Sequence, residues 1–134
     1  SGLLISGIAM DKVTPAILNR DVMRQLIGDD IQLIKQFEID FLKQAKQSLG
    51  KIVKLFNEGN IKPIQEEAHF LKTSAKAIGA EQTADLLQEL EMLSLEQNIA
   101  GCGKLIQSVS QSVKLVHGEI VNGHQPRHAI QSSP

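Results

Sequence analysis

The sequence contains no tryptophan and no tyrosine, and aromatic side chains make up only 3% of its 134 residues. Proteins that bind single-stranded nucleic acid by base stacking rely on such side chains, so this class of protein is not indicated. The formal net charge of −1 at pH 7 also gives no basic footprint for nucleic acid or for an anionic membrane. The single cysteine, Cys102, excludes an internal disulfide and is typical of a reducing compartment.

Long hydrophobic runs are absent as well. The longest nearly apolar run, residues 3–10, is much shorter than the roughly 20 residues that a membrane-spanning helix needs. It also lacks the basic start of a secretion signal. We therefore interpret residues 1–13 as a flexible lead or a cloning remnant, and we expect a cytoplasmic domain without direct membrane contact.

Apolar residues recur at helical spacing, and no segment shows the sustained alternation of a strand. The pattern predicts an all-α domain over residues 14–123 and a disordered tail over 124–134. The first helix is predicted from about Pro15 or Asn19 to Ile27, and the others at about 30–57, 61–78, 81–96 and 103–121. Short connections between long helices predict an antiparallel up-down-up-down four-helix bundle, with the short first helix as a lid.

Glycine and short polar residues mark the predicted helix ends. Gly28, Gly59 and Gly79 are expected to end the first three helices. Asp29 or Asp30 is expected to cap the second helix, and Asn60 the third. Gln97-Asn98 and Gly101-Cys102-Gly103 are expected to form a break before the last helix. Leu26 and Phe37 are among the side chains expected to point inward.

The predicted third helix has an apolar stripe that should face the core, made by Ile61, Ile64, Ala68, Leu71, Ala75 and Ile78. His69 lies roughly 130° from the centre of this stripe, so its imidazole should face water or a partner. Lys72 and Lys76 follow one and two helical turns later, and an accessible imidazole beside two ammonium groups is suited to carry an anion. On spacing alone, a surface histidine beside solvated lysines is the more common arrangement.

The residues that follow His69 resemble the signature of histidine-containing phosphotransfer (HPt) domains of bacterial and plant phosphorelays. That signature is His, any residue, Leu, Lys, Gly and small residues, then a Gly-Ala or Gly-Leu pair, then Leu and Glu at helical spacing. This chain presents it as His69, Leu71, Lys72, Thr73, Ser74, Ala75, Ile78, Gly79, Ala80, Leu87, Leu90 and Glu91. The resemblance covers the helical body, residues 15–122. Thr73 departs from it, because it stands where the family usually has glycine and could crowd a partner or donate a hydrogen bond to a phosphoryl oxygen.

The resemblance implies that His69 accepts a phosphoryl group from the aspartyl phosphate of one receiver domain and passes it to an aspartate of another. An ordinary imidazole is mostly neutral near pH 7 and can act as the nucleophile. Lys72, Lys76 and Thr73 are the candidate groups that support the phosphoryl charge. The resemblance also implies that Glu91 bonds the other ring nitrogen.

Further candidates surround this centre. Gln88, one turn before Glu91, is a second candidate for orienting the imidazole. Gln65, Phe70 and Ala77 are candidate docking residues for the receiver. For Phe70, a half-buried position in the groove to a neighbouring helix is the alternative, and it is slightly favoured by spacing.

No motif for binding a nucleotide is present. Residues 101–104 (GCGK) lack the full phosphate-loop pattern, and no kinase glycine loop occurs. The phosphoryl group should therefore come from a partner, namely the receivers of a bacterial hybrid sensor histidine kinase and of a response regulator. We expect a monomeric carrier without a cofactor of its own, with magnesium supplied by the receiver, and either free-standing or part of a membrane-anchored sensor kinase.

Two other functions remain as alternatives. The first is a helical interaction domain that no longer transfers, with Thr73 blocking approach. The second is a di-metal bundle, because Glu66 and His69 have the Glu-x-x-His spacing of such sites. No second copy of that spacing exists, since Lys114 precedes His117 by three positions, so no metal site is expected. His124 and His128 fall in the predicted tail.

Overall fold

The computed structural model describes residues 14–123. Within this range the chain forms five helices and no strand, which confirms the all-helical prediction. The helices are α1 (Arg20–Ile27), α2 (Ile31–Asn57), α3 (Ile64–Ile78), α4 (Glu81–Leu95) and α5 (Ile99–Gly123). The predictions for residues 1–13 and 124–134 lie outside the described residues. None of the five helices has the length and apolar character needed to cross a membrane.

Each long helix packs against two other long helices in this part of the chain. α3 contacts α2 and α4, and α5 contacts α4 and α2, while the short α1 packs against α2 and α3. Buried apolar side chains from all five helices form one core. The predicted stripe of α3 is confirmed, since all six of its side chains are buried.

Two side chains expected to point inward are exposed instead, Leu26 and Phe37. The eight-residue α1 buries only Met23, because it is too short to present a longer stripe to the helices beneath it. At this end of α2 the residue beside Phe37, Glu38, is fully buried, and its carboxylate Oε2 lies 3.3 Å from Arg20 Nε. The buried face of α2 is therefore rotated at this end, and Phe37 lies at its edge.

Most predicted helix ends are confirmed by local hydrogen bonds. The Asp30 carboxylate accepts from the backbone N–H of Leu33 at 3.1 Å, which is the bond that an N-cap residue makes. Gly28 and Gly59 follow α1 and α2 with φ of 79° and 80°, and Gly79 follows α3 with φ of 84°. Glycine adopts this left-handed region without steric cost.

The predicted starts of two helices are wrong. α3 begins at Ile64 rather than 61, because a turn precedes it in which the Ile64 N–H donates to the Ile61 carbonyl at 3.0 Å. Asn60 is therefore not its N-cap. The glycines at 101 and 103 do not break a helix but lie inside α5, where the Asn98 side chain accepts from the Gly101 N–H at 2.9 Å.

The segment before α1 is tied to the turn between α3 and α4. The Asn19 N–H donates to the Gly79 carbonyl at 2.8 Å, and the Gln82 N–H donates to the Ala16 carbonyl at 3.0 Å. The Glu81 carboxylate accepts from the Asn19 side chain at 2.9 Å and from the Ala16 N–H at 3.0 Å. These two bonds lower the pKa of Glu81, although its burial opposes the effect. The segment thereby fixes the corner at the end of α3.

Candidate functional site

The candidate site consists of three side chains on α3 that face one carboxylate on α4. Gln65 lies four residues before His69 and Lys72 lies three residues after it. This spacing places the three side chains along one side of the helix. Glu91 reaches them from α4, where its neighbour Leu90 is fully buried in the core. The packing of α3 against α4 therefore brings the four side chains together.

The imidazole of His69 is accessible and also held by one hydrogen bond. Its side chain is 58% exposed, and Nδ1 lies 3.1 Å from Glu91 Oε1. An ionised carboxylate only accepts hydrogen bonds, so Nδ1 carries the ring proton in this contact. Nε2 then carries the lone pair, and the ring is poised to act as a nucleophile through that atom.

Glu91 is the most enclosed group of the site, with a side chain only 9% exposed. Its burial is the largest single effect on its pKa and raises it. Hydrogen bonds from Lys72, Gln65 and His69, together with the charge of Lys72, outweigh that effect and leave the pKa of Glu91 below its ordinary value. The carboxylate is therefore ionised at neutral pH. Its Oε1 accepts from Gln65 and His69, and its Oε2 forms an ion pair with the Lys72 ammonium.

Lys72 points towards α4 rather than into solvent. Its Nζ lies 2.7 Å from Glu91 Oε2 and donates to Gln88 Oε1 at 2.6 Å, and its side chain is only 11% exposed. Gln88, the second candidate for orienting the imidazole, thus contacts Lys72. Among the contacts found in residues 14–123, none joins Gln88 to His69. Lys72 therefore contacts the Glu91 carboxylate, which in turn bonds to the imidazole of His69.

The other two candidate groups for charge support lie on the outer side of α3. Thr73 and Lys76 are both exposed. The Thr73 hydroxyl donates to the backbone carbonyl of His69 at 3.1 Å, so one turn of helix separates it from the imidazole. Its β-branched side chain occupies surface next to His69 that a glycine would leave open.

Phe70 and Ala77 are exposed on the side of α3 that adjoins α2. Phe70 is 55% exposed, which places it on the surface and not in the groove that was the alternative. On the same side of the helix, Ser74 Oγ donates to Gln44 Oε1 on α2 at 2.8 Å. Phe70 and Ala77 thus supply exposed apolar area on the side of α3 that bonds to α2.

Reasoning from sequence missed two features of this site. The Gln65 amide, for which only a docking role was predicted, donates to Glu91 Oε1 at 3.1 Å; its position one turn before His69 was the available signal. Leu95 of α4 is exposed and lines a cavity of about 310 Å³ with Lys62, Pro63, Gln65 and Glu66. Its exposure could not be read from the leucine-rich pattern of α4.

Metal ligands are not gathered within the described part of the chain. Among residues 14–123, no group of three or more His, Cys, Asp or Glu side chains could hold a metal ion. Cys102 is fully buried, and that burial raises the pKa of its thiol. Separately from these groups, the accessible imidazole of His69, oriented by the Glu91 carboxylate, can act as a nucleophile.

Comparison with known proteins identifies the family. The family model described as "Hpt domain" matches residues 39–120, which is more than half of the chain and includes both His69 and Glu91. The chain therefore belongs to the Hpt family, as its residues 69–91 indicated. Domains of this family carry out histidine phosphotransfer in phosphorelay signalling and interact with receiver domains. No curated protein and no solved structure matches the chain.

Proposed function

We propose that His69 is the phosphoryl carrier of this domain, accepting the group from an aspartyl phosphate of one receiver and passing it to an aspartate of another. The observation that carries this proposal is the state of the imidazole. Its side chain is 58% exposed while Nδ1 is held 3.1 Å from a buried carboxylate. No other histidine of residues 14–123 has such a carboxylate partner among the contacts found there.

The transfer needs no proton from solvent. The Nε2 lone pair attacks phosphorus, an N–P bond forms, the P–O bond to the receiver's aspartate breaks, and the carboxylate leaves with that electron pair. The ring keeps its Nδ1 proton and becomes cationic, and the Glu91 carboxylate offsets this charge. In the second transfer an aspartate oxygen attacks phosphorus and the N–P electron pair returns to Nε2. Glu91 stabilises the charged ring as a preorganised acceptor.

The charge of the phosphoryl oxygens calls for cationic neighbours. Lys76 and Thr73 are the exposed candidates on α3. Lys72 contributes in a different way, because its ammonium keeps Glu91 ionised through the 2.7 Å contact. We expect magnesium and most of the catalytic groups to belong to the receiver, and no cofactor in this domain.

The receiver is proposed to dock on the surface that surrounds His69. Phe70 and Ala77 supply exposed apolar area on the α2 side, and Gln65 lies on the α4 side.

We further propose that the four long helices run up-down-up-down, which their cyclic contacts and short connections support. We place the domain, as a cytoplasmic monomer, in the relay of a bacterial hybrid sensor kinase and its response regulator.

Intact mass after incubation with a small phosphoramidate tests the reactive residue. We expect one acid-labile phosphoryl group on the wild-type protein and none on His69→Gln. His117→Gln is the matched control, because His117 is an exposed histidine on α5, and it should be modified like the wild type. Equal modification of the wild type and His69→Gln would place the chemistry at another residue.

A bundle that binds receivers without transferring is the second candidate function, and the side chain of Thr73 beside His69 is the observation that favours it. Thr73→Gly separates the two functions in an assay with a phosphorylated receiver. A transfer-competent domain should change little on this substitution. A domain blocked by Thr73 should accept the phosphoryl group only after the substitution to glycine.

A further inference from the structure

Glu91 Oε1 accepts two hydrogen bonds from α3, one from His69 Nδ1 and one from Gln65 Nε2, each at 3.1 Å. The other oxygen, Oε2, lies 2.7 Å from Lys72 Nζ. The carboxylate is thus held at both ends, and its contact with the imidazole depends on the orientation of the end that Gln65 shares.

The two holding groups differ in what they can fix. A lysine ammonium is a compact charge on a flexible stem with three rotatable donors, so it attracts a carboxylate without setting its plane. An amide N–H is directional, and a bond weakens steeply as its angle departs from linearity. The Lys72 contact therefore leaves the carboxylate free to turn, whereas the Gln65 bond restrains Oε1.

We propose that Gln65 is a positioning residue that holds Glu91 Oε1 opposite His69 Nδ1 and thereby keeps the imidazole in the tautomer with the proton on Nδ1. Gln65 is uncharged, so it restrains the carboxylate without changing the net charge beside the phosphoryl group. The consequence for phosphoryl transfer rests on the function proposed for His69, whereas the effect on the tautomer does not.

The tautomer is measured directly by two-bond nitrogen–proton NMR correlation of the ¹⁵N-labelled protein at about pH 8.5, where an ordinary imidazole is neutral. Gln65→Met keeps the length of the side chain and removes the donor. We expect the Nδ1–H population of His69 to fall in this variant. We also expect its rate of phosphorylation by phosphoramidate to fall by about two- to tenfold, the range for loss of one ordinary hydrogen bond.

Two further variants give the test its controls. Gln107→Met makes the same chemical change at an exposed position of α5 and should leave both the tautomer and the rate unchanged. Gln65→Lys supplies an ammonium of comparable reach without the directional amide, so it should lose the Nδ1–H tautomer as Gln65→Met does. Far-UV circular dichroism shows whether each variant keeps its helices, and Gln65→Lys preserves the test if Gln65→Met does not fold.

An unchanged tautomer in folded Gln65→Met overturns the proposal, even if the rate of phosphorylation falls. Gln65 would then act through contact with the phosphoramidate. Retention of the wild-type Nδ1–H population in folded Gln65→Lys also overturns it, since the direction of the amide hydrogen bond would then not be what matters. If the tautomer responds as expected but wild-type His69 takes no phosphoryl group, the positioning role stands and the proposed function fails.

Discussion

Replacing Glu91 by glutamine perturbs the site at the group on which its other contacts converge. Glu91→Gln keeps the shape of the side chain and can still accept from His69, but it removes the negative charge beside Lys72. The lysine side chain is 11% exposed and loses its ionic partner. Uncompensated buried charge costs several kcal/mol in protein interiors; because Nζ also donates to Gln88, we expect destabilisation of about 1–3 kcal/mol.

The same substitution should slow phosphoryl transfer. The carboxylate offsets the positive charge that the ring acquires when the N–P bond forms, and a neutral amide does this less well. We expect a loss of about 10- to 100-fold in rate, of the size measured when groups that orient a reactive ligand are removed. Denaturant unfolding gives the stability change, and phosphoramidate or a phosphorylated receiver gives the rate.

The pH dependence of the free energy of unfolding gives an independent test of the Glu91 carboxylate. The pKa of Glu91 is lower in the folded protein than its ordinary value, so the folded state binds fewer protons than the unfolded state between these two values. The stabilisation is complete above the ordinary pKa and is lost as pH falls through the folded pKa. Glu91→Gln should therefore flatten the acidic side of the stability profile.

Glu89→Gln is the matched control, because Glu89 is exposed on the same helix. It should change stability by no more than about 0.5 kcal/mol and leave transfer intact. If Glu91→Gln behaves like Glu89→Gln in stability, rate and pH profile, the role assigned to the Glu91 carboxylate is refuted.

Two further predictions concern the corner between α3 and α4. Gly79→Ala should destabilise the protein by about 1–3 kcal/mol, because φ is +84° and the new Cβ would meet the backbone of Asn19; Gly118→Ala, with open space around its Cβ, should be neutral or stabilise by up to about 1 kcal/mol in thermal unfolding. Glu81→Gln should lose stability above the ordinary carboxyl pKa and little at lower pH, because that pKa is lowered in the folded state; a loss that does not depend on pH would contradict this account.

The buried face of α3 could be predicted from the sequence because five of its apolar residues, from Ile64 to Ile78, repeat at helical spacing. Leu26 and Phe37 could not be placed in this way. The short length of α1 and the burial of Glu38 against Arg20 decide which positions are covered. The start of α5 was missed because the side chain of Asn98 caps the helix ahead of the two glycines. Local glycine content was the weaker signal.

The candidate site was predictable in part. The resemblance indicated His69 and Glu91, and helical spacing placed Lys72 on the side of His69. It could not show that the Lys72 ammonium turns towards α4, or that the Gln65 amide reaches the same carboxylate oxygen as His69. Those contacts depend on how far apart α3 and α4 pack and on which rotamers the gap admits, and neither is encoded in the period of one helix.

The central claim is that His69 carries the phosphoryl group between receivers, and one transfer experiment tests it most directly. A phosphorylated receiver is mixed with the wild-type protein, and the phosphorylated residue is mapped by mass spectrometry under alkaline conditions that preserve phosphohistidine. The account predicts rapid loss of phosphate from the receiver and its appearance on His69 alone. Retention of phosphate on every receiver tried, or its appearance on a residue other than His69, would contradict the account.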